Sequence, residues 1–150
     1  MSLENLPDPP QVSGISLPGT EPYVITTDEN RALCDLIGVA PAANGCAHPI
    51  YFFIATKVGM GMTVAALCKT CDFDAADGPM MVSSKVKFAR RLMTEQAYWV
   101  TGEILGLTRK LSRKLGVIDM LNYELRLALP DGSAVLETAN IWVLPRRNLR

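Results

Sequence analysis

Charge of one sign is what this sequence most plainly lacks: 15 lysines and arginines are balanced by 15 aspartates and glutamates. No global field therefore draws the chain toward nucleic acid or an anionic membrane, and neither is an expected partner. Histidine is nearly absent, with only His48. Chemistry that needs a side chain titrating near neutrality in its unperturbed state must rest on that residue. Between Ile50 and Asp72 there is no acidic residue at all. The N-terminus lacks the cationic, then apolar, then small-residue order of a secretory signal, so the cytoplasm is the expected location. In that setting the four cysteines, Cys34, Cys46, Cys68 and Cys71, read as reduced thiols rather than a disulfide framework.

What is present is organised around Ala47–Cys71, AHPIYFFIATKVGMGMTVAALCKTC, the longest apolar run. Pro49 suits the first turn of a helix, where its missing N–H costs nothing. The pattern predicts one helix over 49–69, buried on most of its circumference. Lys57 lies in its middle, and a central lysine costs roughly 3 kcal/mol in a bilayer, so a membrane span is not expected. Ala55, Gly59, Gly61, Ala65 and Ala66 let other backbone approach closely.

At 150 residues the chain is long enough for one domain with its own core. Residues 1–22 carry five prolines and read as an arm laid over the surface, with Val12 to Leu17 able to pair at a sheet edge. Residues 23–150 form the domain. It opens with a short strand at Tyr23 and a helix from about Glu29 to Ile37. Thr27 is its capping candidate, Leu33, Leu36 and Ile37 its apolar side, and Gly38 its stop. Val39 to Ala47 is a small-residue loop. After the long helix the period changes to two, and strands are expected near 81–90, 96–108, 117–129 and 134–144. A basic connector, Arg109 to Lys114, joins the second and third, and Pro130-Asp131-Gly132 turns the last hairpin.

One helix cannot bury four amphipathic strands unless the sheet curls around it. The expected architecture is therefore α+β: the hot-dog arrangement, a curved antiparallel sheet, in a meander, wrapped on a long central helix. Its edge strand wants a partner, which favours a homodimer or a hetero-oligomer with another hot-dog chain.

Three stretches resemble one family. AHPIYFF is similar to the helix opening of MaoC-like hydratases and dehydratases, KVKFARRLMTEQAYWVTGEI to their following strand pair, and LRLALPDGSAVLETANIWVLPR to their closing hairpin. The resemblance runs from Tyr23 to Arg146. It implies an acyl-CoA or acyl-carrier-protein thioester as substrate, water added to or removed from a 2-enoyl/3-hydroxyacyl group, and no cofactor. Active members carry D-x-N-P-x-H ahead of the helix. Here the stretch is DLIGVAPAANGCAH, with Asp35 and Asn44 but no such pattern. What remains is His48, as general base or as a polar cap, helped by Asn44. By the same resemblance Arg90 lines the thioester entrance.

Arg109, Lys110, Arg113 and Lys114 either hold the phosphates of coenzyme A or are simply solvated. Cys68-Lys69-Thr70-Cys71 would need Cys34 and Cys46 to converge with it for zinc, and buried free thiols are expected instead, with no metal. Two further functions fit the lost motif: a non-catalytic subunit that binds the acyl chain for an active partner, and an acyl-CoA thioesterase. The small loop and Met60, Met62, Met80 and Met81 together predict a roomy apolar pocket.

Overall fold

The computed structural model describes residues 5–149, so the first four residues of the expected arm lie outside it. Helix α1 spans Thr27–Ile37 and is capped by Thr26, whose hydroxyl accepts the Glu29 N–H at 3.1 Å. The residue named from sequence, Thr27, is instead the first helical residue, and its N–H is taken by the Glu95 carboxylate. Gly38 ends the helix with φ +72°. The buried side of α1 also differs from expectation. Leu36 is 85% exposed, whereas Asn30 and Cys34 are buried. Asn30 is buried because its Oδ1 accepts the His48 backbone N–H at 2.8 Å.

The predicted long helix is two helices, α2 (Tyr51–Gly59) and α3 (Val64–Thr70), bent by 62°. Gly61 makes the break with φ +71°, and Thr63 recaps the chain by accepting the Ala66 N–H. Helical periodicity alone could not reveal this, because the cause is distant in sequence. The arm crosses the bend: a Cβ at Gly61 would collide with the Pro18 carbonyl, and one at Gly19 would sit 2.5 Å from the Gly59 carbonyl. No single helix among the described residues is long and apolar enough to cross a membrane.

The strands are β1 (Tyr23–Val24), β2 (Met80–Phe88), β3 (Ala97–Ser112), β4 (Gly116–Ala128) and β5 (Ala134–Pro145). They form one antiparallel sheet in the order β1-β3-β4-β5-β2. The expected meander holds for β3, β4 and β5 only. β2 pairs with β5 at the far edge because the chain from 89 to 96 is too long for a hairpin. That connector is spoken for elsewhere: Leu92 O accepts the Ala47 N–H, and the Thr94 and Glu95 N–H groups bond to Gly45 and Ile25. The arm extends the other edge, with Gly14, Leu17 and Gly19 donating to Ile104, Gly102 and Val100 of β3.

Bulges near Ser83 and Leu105 help the sheet curl over the helices. Its inner face carries Val100, Ile104, Leu121, Tyr123, Leu125, Leu127, Leu136 and Trp142, packed on Tyr51, Ala55 and Leu67.

Two charged features were not foreseen. Asp119, with a fully buried side chain, accepts two bonds from Arg109 at 2.8 and 2.9 Å and one from Arg146 Nε at 2.6 Å. Arg146 also binds the Cys71 and Asp72 carbonyls, and Arg109 the Pro7 carbonyl. One carboxylate thus ties β3, β4, the chain after β5, the end of α3 and the arm together. The expected basic connector is shorter than supposed, since Arg109 and Lys110 belong to β3.

The second feature is Lys57. Its ammonium donates to Tyr123 Oη at 2.6 Å and lies 4.6 and 5.3 Å from the Tyr123 and Phe53 ring centres. Burial pushes its pKa down from 10.5 to about 8. Between pH 8 and 10.5 Lys57 holds a proton in the unfolded chain that it has shed in the folded one, so its own contribution to stability rises with pH there and its penalty is complete below that window. Lys57→Met is expected to stabilise the fold by about 1–2 kcal/mol at pH 7, after discounting for partial exposure. Urea midpoints of both proteins at pH 7 and pH 10 test this. The Cys71 thiol, pushed up to about 11 by burial, titrates alike in both and cancels from the difference. A methionine variant weaker than wild type at pH 7 would mean that the aromatic and hydroxyl contacts outweigh desolvation.

Candidate functional site

Where the loop after α1 meets the start of α2 and the β2–β3 connector, a cavity of about 700 Å³ opens. The loop contributes Val39, Ala40, Ala42, Asn44 and Cys46; His48 and Pro49 stand at the helix entry; Phe88 to Leu92 close the other side. Small side chains in the loop leave the space, as the composition of 39–47 suggested. The methionines expected to line it do not: Met60 is in the core, and none of Met60, Met62, Met80 or Met81 reaches this wall.

Three residues picked out from sequence meet here: His48, Asn44 and Arg90. The others stand apart. Arg109 is bound to Asp119, Lys114 lines a separate recess with Met80 and Arg147, and Lys110 and Arg113 lie in β3 and the hairpin beyond it.

Backbone contacts fix the polar groups of the cavity. His48 Nδ1 accepts the Ile50 N–H at 3.2 Å, and Asn44 Oδ1 accepts the Cys46 N–H at 3.2 Å. Behind them Asn30, which sequence reasoning missed, holds the His48 backbone to α1. An asparagine one turn before Cys34 on the same buried side was the available signal, since a buried amide must find a partner. Among the described residues no carboxylate lines the wall; its charged members are Arg90 and Arg91.

The cysteines divide in two. Cys34 and Cys46 line the cavity. Cys68 and Cys71 are buried behind α3, where desolvation raises both thiols, which favours the inert neutral form. No group of three or more metal-ligating side chains occurs among the described residues.

Among solved structures the chain is similar to the C-terminally truncated HadBC (3R-hydroxyacyl-ACP dehydratase) complex of Mycobacterium tuberculosis. The TM-score is 0.69 at 11% identity, over 88% of this chain and 96% of that one. The ChsH1–ChsH2 complex of the same organism matches with TM-score 0.63 at 15% identity, covering 87% and 83%. A Thermus thermophilus thioesterase, solved with coenzyme A and zinc, matches with TM-score 0.55 at 10% identity, covering 82% and 75%. No protein-family model matches the chain, and no curated protein does.

At these identities the likeness defines the fold. The curled five-stranded sheet over its helices is a hot-dog fold, with the long central helix of the expectation replaced by the α2–α3 pair.

Proposed function

We propose that this chain is an acyl-thioester-binding protomer of the MaoC-like type. In this reading it works with a second hot-dog chain that supplies the acid–base pair for adding water to a 2-enoyl group or removing it from a 3-hydroxyacyl group. The observation that carries this reading is the cavity that joins His48, Asn44 and Arg90 without a carboxylate on its walls. Hydration needs both a base and an acid in reach of the substrate, and this chain offers at most one of them. A cavity of this volume suits an acyl group of medium length better than acetyl.

Arg90 is the group for the phosphates or pantetheine amides at the mouth. Arg90→Glu is expected to weaken octanoyl-coenzyme A binding by tenfold or more, about 1.4 kcal/mol, measured by isothermal calorimetry. An unchanged affinity would remove Arg90 from the site. Turnover should be absent or weak for the chain alone on a medium-chain 2-enoyl thioester. Brisk hydration would show that it is a complete enzyme, and brisk release of coenzyme A without hydration would favour the thioesterase reading.

Assembly follows from the sheet edge. β2 is paired on one side only, and it exposes Met80, Met81, Val82 and Phe88, with Val82 at 55%. An unpaired edge of nine residues, MMVSSKVKF, whose exposed apolar side chains cluster at its two ends around Lys85 and Lys87, is an association surface. Light scattering at micromolar concentration is expected to give a dimer, or a mixed oligomer when a partner hot-dog chain is coexpressed. A monomer under both conditions would contradict this.

A further inference from the structure

We propose that His48 serves the cavity as a hydrogen-bond donor whose Nε2–H binds the thioester carbonyl oxygen, and not as a base. This rests on the acyl-thioester reading and specifies how the thioester is held. The Ile50 N–H points at His48 Nδ1, and a donor requires a lone pair there. The proton of the neutral ring therefore sits on Nε2. Two further bonds fix the His48 backbone from which the ring projects: its N–H is bound by the buried Asn30 Oδ1 at 2.8 Å, and its carbonyl accepts the Tyr51 N–H at 3.1 Å.

For Nε2 to act as a base its proton would have to move to Nδ1. That breaks the Ile50 bond and sets two N–H groups against each other.

Asn44 repeats the logic. Its Oδ1 accepts the Cys46 N–H, which orients the amide and leaves both Nδ2 hydrogens to donate. Arg90 and Arg91 can only donate. The cavity thus offers donors from His48, Asn44, Arg90 and Arg91 and no carboxylate to accept. Such a wall complements an oxygen acceptor whose negative character grows during reaction, which is how fixed donors assist acyl chemistry. The group that abstracts a proton then belongs to another chain.

Two measurements test this. Long-range ¹H–¹⁵N correlation spectra of the free protein at pH 8 should show His48 with Nδ1 bare and Nε2 protonated. The opposite tautomer overturns the proposal and leaves the acyl-thioester reading standing. Calorimetry then compares octanoyl-coenzyme A with coenzyme A, which has no thioester carbonyl. His48→Gln, which keeps an N–H donor near the Nε2 position, should bind octanoyl-coenzyme A within about threefold of wild type. His48→Leu should lose about tenfold for octanoyl-coenzyme A, on the scale of one hydrogen bond, and nothing for coenzyme A. Equal losses for both ligands mean a structural role and overturn the proposal. Failure of wild type to bind octanoyl-coenzyme A overturns the thioester reading and this inference with it.

Discussion

Asp119→Ala is expected to cost about 3–5 kcal/mol of folding stability, the range for removing one partner of a buried ion pair. Its side chain is fully buried, and Arg109 and Arg146, only 8% and 6% exposed, both direct their guanidinium groups at it. Taking the carboxylate away leaves two cations with no anion and little water. Arg146 retains the Cys71 and Asp72 carbonyls and the Phe73 ring at 5.5 Å, so part of its environment survives. Those neutral acceptors do not replace a charge.

Because five segments meet at this residue, the loss should appear as a lower urea midpoint with an unchanged slope. A loss below about 1 kcal/mol would show that the arginines find water on a small rearrangement. Replacing all three charges by apolar residues of similar volume should be much milder than the single change.

The second large effect is expected at the helix break. Gly61→Val should destabilise by about 2–5 kcal/mol, combining a positive φ that β-branched residues resist with overpacking against fixed backbone. The Pro18 carbonyl lies where the new Cβ would go, and Gly19 beside it is packed against the Gly59 and Val100 carbonyls. The strain is relieved most easily by lifting the arm from β3. Amide hydrogen exchange should therefore accelerate at Leu17 and Gly19, whose N–H groups bond to Gly102 and Val100, more than at the core of β4. Uniform exchange with little loss of stability would mean that α2 and α3 bend for reasons of their own.

The two sites show where sequence reading reached and where it stopped. Period-two alternation located every long strand, because burying one face of a sheet against helices imposes that pattern wherever the chain is extended. β4 illustrates it: Leu121, Tyr123, Leu125 and Leu127 all face the core. Asp119 is in step with them, yet a lone aspartate in such a row says nothing about Arg146, 27 residues away. The strand positions likewise did not say that β2 pairs with β5. That is decided by what the 89–96 connector does, and its bonds to Gly45, Ala47 and Ile25 are long-range.

The bend at Gly61 has the same origin, since a glycine permits a break and only the arm's passage makes it necessary. His48 could be picked out as the sole histidine, and Asn44 and Arg90 by the family resemblance of the segments that carry them. Asn30 was signalled only by its place one turn before Cys34, and the backbone N–H that it holds is invisible until α1 is docked.

In the proposed reading this chain holds an acyl thioester in the cavity between α1, the start of α2 and the β2–β3 connector. The most direct measurement is a titration of the ¹⁵N-labelled protein with octanoyl-coenzyme A, followed through assigned amide resonances. Saturable shifts at Asn44, Cys46, His48, Arg90 and Leu92, with Lys114 and Arg147 unmoved, are the predicted result. No saturable change at those amides, or saturation confined to the recess of Lys114 and Arg147, would contradict it.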